Sequence, residues 1–193
     1  MPRVKLFKEE EVLTKAMMIF WKKGYHDTSI QDLVDHLGVN RASLYDTFGG
    51  KKELFDSAFE YYRKTSNKTL QELLNSQDSV KETLRMIFRK VIEGDMSDPH
   101  NKGCLVANTT TELLPHDSEL QLVITRHRED VEQIFYDFLL TGAQKGEISG
   151  EKDLKTMASL LYTLLTGLRV MGKTRPNQEE SLASVDAVLS LLD

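Results

Sequence analysis

Apolar residues along this chain recur three or four positions apart, the spacing that puts side chains on one face of an α-helix. Val12, Ala16, Ile19 and Phe20 form the first stripe, which runs to Lys23 and stops at Gly24. Ile30, Leu33, Val34 and Leu37 form a second, shorter one, closed by Gly38. Leu44 and Phe48 mark a third short helix. A longer helix comes next over residues 52–74, with Leu54, Phe55, Ala58, Tyr61 and Tyr62 on its apolar side. Asp78 or Ser79 caps the next, which carries Val80, Leu84, Ile87, Phe88 and Val91, and the polar stretch Gly94 to Asn101 reads as a loop. The pattern then predicts helices over 103–114, 117–145, 152–172 and 177–192. Pro2, Pro99, Pro115 and Pro176 leave long proline-free stretches, which permits uninterrupted helices. Period-two alternation bounded by turns is missing. The expectation is an all-α chain of about nine helices, three of them short and early.

The early helices carry the most specific chemistry. Two short amphipathic helices meet at Leu37-Gly38-Val39-Asn40. Glycine allows the sharp turn, and Asn is a good N-cap for the second of the two helices. That is a helix-turn-helix, whose second helix enters the DNA major groove with its first residues at base edges. Those residues are Arg41, Ala42 and Ser43. Arg bonds bidentately to guanine, Ser bonds to several bases and Ala touches the thymine methyl. Tyr45 and Thr47 offer hydroxyls to phosphates, and Lys51 and Lys52 open the next helix. Thr28 and Ser29 open the second helix, and helix starts favour an anion.

Charge at first argues the other way. The 193 residues hold 25 Lys and Arg against 30 Asp and Glu, a formal net charge of −5. Residues 1–65, however, hold 11 basic against 10 acidic side chains, and the remaining 14 against 20 lie in residues 66–193. The acidity therefore belongs to the later part. Lys5 and Lys8 add cations to an N-terminal arm.

The string Phe20, Gly24-Tyr25, Thr28-Ser29-Ile30, Asp32-Leu33, Leu37-Gly38-Val39, Leu44-Tyr45, Phe48 and Lys51-Lys52-Glu53-Leu54-Phe55 resembles the DNA-binding domain of the tetracycline-repressor (TetR) family over about residues 8–60. The resemblance implies an N-terminal three-helix helix-turn-helix domain, residues 1–50. It also implies a helical ligand-binding and dimerisation domain, residues 51–193, with helix 52–74 linking the two. It implies a homodimeric repressor that binds a pseudo-palindromic double-stranded operator and is released by a small-molecule effector. Carried over by position, Gln31, Arg41, Ala42 and Ser43 lie near bases. Thr28, Ser29, Tyr45, Thr47 and Lys51 lie near phosphates. Gly49-Gly50 stands where the family commonly has Lys or a capping residue, which removes one possible phosphate contact.

The later part says less. Phe88, Tyr136 and Tyr162 either line an effector pocket or are plain core, and Asn108 and Glu112 offer polar groups to orient a ligand. His127 sits in a run with Arg126, Arg128 and Glu129, most simply a solvated face. Cys104, the one cysteine, is either a sensor of oxidants or electrophiles, which needs exposure and a lowered pKa, or a small buried apolar residue. Leu161, Leu164 and Leu168 in one helix and Val185 and Leu189 in the last suit a four-helix interface between two copies.

An enzyme is not expected. No His has a Glu three residues before it, no Walker or dinucleotide glycine motif occurs, and no metal cluster or cofactor site has plausible spacing. A single cysteine excludes an internal disulfide. The N-terminus lacks a signal-peptide apolar region and the longest apolar run near it is short, so no membrane role and a cytoplasmic location are expected.

Overall fold

The computed structural model describes residues 9–75, 79–174 and 176–193. The expected arm cations Lys5 and Lys8, and Asp78 as a cap, lie outside the described residues. Among these residues nine α-helices occur in the order α1 (Glu9–Lys23), α2 (Ile30–Leu37), α3 (Arg41–Phe48), α4 (Lys51–Leu74), α5 (Val80–Ser97), α6 (Leu105–Leu113), α7 (Ser118–Gln144), α8 (Leu154–Met171) and α9 (Gln178–Leu189).

Short-range chemistry sets the boundaries. The Ser29 hydroxyl accepts from the Asp32 N–H at 3.0 Å, while the Asp32 carboxylate accepts from the Ser29 N–H at 2.8 Å. This reciprocal pair satisfies two donors at the start of α2. Gly38 closes α2 at φ 67°, and its N–H reaches the Val34 carbonyl at 3.0 Å. Asn40 then caps α3 through the Ser43 N–H at 2.8 Å. Ser79, Asp117, Asp153 and Asn177 cap α5, α7, α8 and α9 by the same device. One boundary differs from the reading of the sequence. α5 runs on through Gly94 to Ser97, and the turn comes only with Asp98, whose carboxylate accepts the His100 and Lys102 N–H groups at 3.1 and 2.7 Å. Asp98-Pro99 ends the helix, since proline disfavours helical backbone in the residue before it.

The helices enclose two apolar cores. The first joins α1, α2 and α3 to the first half of α4, and includes Leu105, Val106 and Leu113 of α6 and Leu120 of α7. This core therefore includes residues on both sides of position 50. The second lies between α5, α7, α8 and α9 and takes in Leu70 and Leu74 of α4. α4 thus contributes to both. α7 approaches the start of α5 closely at Gly142, where an added Cβ would lie 2.5 Å from Val80 Cγ2.

No helix among the described residues is long and apolar enough to cross a membrane.

Candidate DNA interface and effector cavity

α3 presents Arg41, Ala42 and Tyr45 outward, Tyr45 at 43% exposure, while Leu44 is fully buried on the opposite side. Arg41 and Tyr45 are one helical turn apart, so they share a face. Ser43 is half-buried beside them, and Thr47 is half-buried one turn further on. Gln31 is exposed on α2 and its amide donates to Asp35 at 2.8 Å.

Three residues expected near phosphate are placed differently. Thr28 is fully buried, with its hydroxyl donating to the Gly24 carbonyl at 2.6 Å, so it does not reach the surface that a phosphate would meet. Ser29 is exposed, but its hydroxyl is engaged with Asp32. The Lys51 ammonium lies 4.3 Å from the Tyr25 ring centre and 3.5 Å from the His26 carbonyl, and partial burial lowers its pKa. Lys52 pairs with Asp56 at 2.7 Å and reaches Asp117 at 3.5 Å. Lys23 binds Asp32 at 2.8 Å and, with Ser29, holds that carboxyl well below its usual range. Lys23, Lys51 and Lys52 are thus each engaged within the protein.

The junction with the body is polar and specific. The Glu112 carboxylate, on α6, accepts the Tyr25 N–H at 3.1 Å and the His26 N–H at 2.7 Å. It caps the segment between α1 and α2 from across the fold, rather than orienting a ligand. Trp21 of α1 donates through Nε1 to the Gly103 carbonyl at 3.1 Å, and Arg169 of α8 donates to the same oxygen at 2.9 Å. Arg169 also lies 3.6 Å from Asp95 of α5.

Beside this junction is a cavity of about 750 Å³ between α1, α4, α5, α6, α7 and α8. Its walls are mainly apolar: Met17 and Trp21, Leu70 and Leu73, Ile87 and Val91, Val106, Ile124 and Val131, and Leu165. Cys104 and Tyr162 line it, as expected for a pocket. Cys104 is half-buried, 4.0 Å from the Tyr62 hydroxyl. Phe88, Asn108, Glu112 and Tyr136 do not line it. Phe88 is fully buried in the second core and Tyr136 packs on that core. The Asn108 side chain spans the Lys102 carbonyl at 2.8 Å and the Lys173 ammonium at 3.0 Å.

His127 is not on a solvated face. It is 6% exposed, lines the cavity, and its Nδ1 has no hydrogen-bond partner among the described residues. Burial, aided by the Arg63 guanidinium, lowers its pKa to about 4, so the ring is neutral at pH 7. Sequence reasoning also missed Met17 and Trp21. They lie four residues apart beside Ala16 and Phe20, giving α1 a broader apolar side than its own three-helix unit needs.

Of the expected interface leucines, Leu161 is fully buried within the protomer, as are Val185 and Leu189. Leu164 and Leu168 stay half-exposed, near the exposed Val170 and Met171. A Cβ at Gly167 would meet nothing within 4 Å, so packing inside the protomer does not explain that glycine.

Comparison with known proteins assigns both parts. Residues 12–58 match the profile of bacterial regulatory proteins of the tetR family, and residues 80–184 match that of the tetracyclin repressor-like C-terminal domain. The HTH-type transcriptional regulator YezE of Bacillus subtilis is 37% identical over 100% of both chains. The HTH-type transcriptional repressor ComR of Escherichia coli is 26% identical over 98% of this chain and 90% of its own length. Among solved structures, a cysteine variant of the TetR family regulator CifR, complexed with 26-bp double-strand operator DNA, superposes with a TM-score of 0.86. It is 26% identical and the match covers 99% of this chain and 100% of that one.

Proposed function

Because this chain belongs to the tetR family of DNA-binding transcriptional regulators, we propose that it is a homodimeric repressor released from its operator by a small molecule held in the cavity. The observation that carries the reading is Trp21. It lies on α1, packs with the helix-turn-helix, and forms part of the cavity wall. A ligand in the cavity therefore touches the DNA-binding unit directly. α4 supplies a second link, since it shares both cores. Ligand binding shifts the protein between two conformers only to the extent that it binds them unequally. A wall made of both parts supplies that inequality.

The division into residues 1–50 and 51–193 belongs to the same proposal. Arg41, Ala42, Ser43 and Gln31 are assigned to bases, and Tyr45, Thr47 and Lys51 to phosphates. The Lys51 ammonium would leave the Tyr25 ring for a phosphate, or act by fastening the preceding loop. Leu164 and Leu168 of α8, with Gly167 between them, are assigned to the contact between copies. Two reading helices then sit about 34–36 Å apart in successive major grooves of a pseudo-palindromic site.

Titration of DNA from around the protein's own gene tests this. Arg41→Ala is expected to weaken operator binding by roughly 1–3 kcal/mol and to relax preference at one base. Unchanged affinity and preference would remove α3 as the reading helix.

A further inference from the structure

The chemistry of the cavity wall narrows what it can hold. Among the described residues that line it, the charged side chains are Arg128 and Arg169, and none is Asp or Glu. A buried cationic ligand would lack an anionic partner, which is costly in a desolvated site. An aromatic face could substitute, but Trp21 already has the Lys102 ammonium 5.4 Å and the Arg169 guanidinium 6.0 Å from its ring centre. Arg169 is itself engaged with Gly103 and Asp95. Arg128 is exposed at the wall and makes no ion pair among the described residues. The nearby acid, Glu132, accepts from the Ser159 hydroxyl at 3.0 Å and does not line the space.

Next to Arg128 stand two of the polar rings of the wall, a third being that of Tyr62. His127 and Tyr162 lie 6.5 Å apart between ring centres, and the unpartnered His127 Nδ1 belongs to a residue that is almost wholly buried. A native buried polar atom without a partner calls for one, and a ligand is one source. A neutral imidazole gives a single hydrogen bond without adding a second charge. Arg128 gives the opposite charge where water still reaches, which lowers the desolvation cost of an anion. Most of the remaining wall surface is apolar, interrupted by neutral polar side chains such as Ser66, Asn67 and Thr110.

We infer that the cavity takes an amphiphile with an apolar body and one anionic head, a monocarboxylate in class, with its head at His127, Arg128 and Tyr162. This deepens the effector reading and rests on it. The volume, about 750 Å³, lies within the range of small-molecule sites, about 300–1,000 Å³.

The test uses the full chain at pH 7.5 and three probes of equal length: decanoate, decanol and decylamine, each kept below its aggregation limit. Calorimetric titration is expected to show decanoate binding about tenfold or more tightly than the other two, the worth of a charge-assisted bond. Arg128→Gln is expected to remove about that factor for decanoate and to leave decanol within about twofold. Thr110→Phe, which fills the cavity from α6, is expected to abolish decanoate binding. The inference is overturned if decanol or decylamine binds as well as decanoate, if no probe binds, or if either variant leaves decanoate binding unchanged. Operator titration with the same probes separates this from the broader reading. Decanoate that binds without altering operator affinity would sink the effector role and leave the ligand class standing. Release by decanol or decylamine alone would do the reverse.

Discussion

Removing the Glu112 carboxylate tests whether the helix-turn-helix is held to the body by a definable contact. Glu112→Ala deletes acceptors for the Tyr25 and His26 N–H groups, at 3.1 and 2.7 Å. A hydrogen bond to a charged group contributes about 1.5–3 kcal/mol. The two do not count equally. The Tyr25 contact is half-buried, whereas the His26 contact is exposed, so water replaces the lost acceptor at His26 with little cost. The expected destabilisation is therefore about 2–3 kcal/mol, near that of one charged bond. For a chain of this size that lowers Tm by roughly 5–10 °C. Glu112→Gln retains a neutral acceptor and should fall between the alanine variant and wild type. Scanning calorimetry gives the stability, and operator titration gives the functional effect. A loosened segment before α2 should weaken DNA binding in the same order. If Glu112→Ala melts within about 1 °C of wild type and binds the operator equally well, the carboxylate fastens nothing and the junction must be held by apolar packing alone.

Other outcomes rest on the same geometry. The folded pKa of His127 is about 4 against an ordinary 6.5, so between those values the unfolded chain binds more protons than the folded one. Stability is thus lost as pH falls from 6.5 towards 4, by on the order of 2–3 kcal/mol from this group. Urea unfolding of His127→Gln at pH 7 and 4.5 should show a loss smaller by about that amount, and an equal loss would place the ring in water. Leu168→Arg puts a charge on the half-exposed side of α8 and should give monomers in gel filtration at micromolar concentration. A retained dimer would move the interface elsewhere. Gly142→Ala would set a Cβ 2.5 Å from Val80 Cγ2 and should cost about 1–3 kcal/mol in chemical unfolding, as overpacking does. A neutral result would mean that α5 and α7 part freely at that point.

Local chemistry explains why the helix-turn-helix is readable from the chain. Ser29, Gly38 and Asn40 act on backbone groups within four residues, so their identity alone announces where α2 and α3 begin and end. Asp98-Pro99 is also local, but Gly94, a weak helix former, reads as an earlier break. The turn is set four residues later, where Asp98 gathers two N–H groups. The cavity is a different kind of object. It depends on which sides of six helices meet, and nothing local separates Phe88, sealed in a core, from Ile87, its neighbour in the wall. His127 shows the same limit. Charged neighbours in sequence suggest water, yet successive residues on a helix point about 100° apart, so His127 can turn inward while Arg126 stays exposed. Glu112 is readable as functional but not for its purpose, because its partners lie 86 and 87 residues away.

The chain has one tryptophan, and it stands at the junction of the two parts. Trp21 belongs to α1, edges the Tyr62 ring at 4.9 Å between centres, and donates its indole proton to Gly103. Its emission therefore comes from a single, known environment. Entry of a ligand, displacement of water from the cavity, or withdrawal of α1 from the Gly103 loop would each alter the polarity around that one ring. The protein thus carries its own optical probe, in which occupancy of the body and the state of the DNA-binding unit are read from the same chromophore without any label.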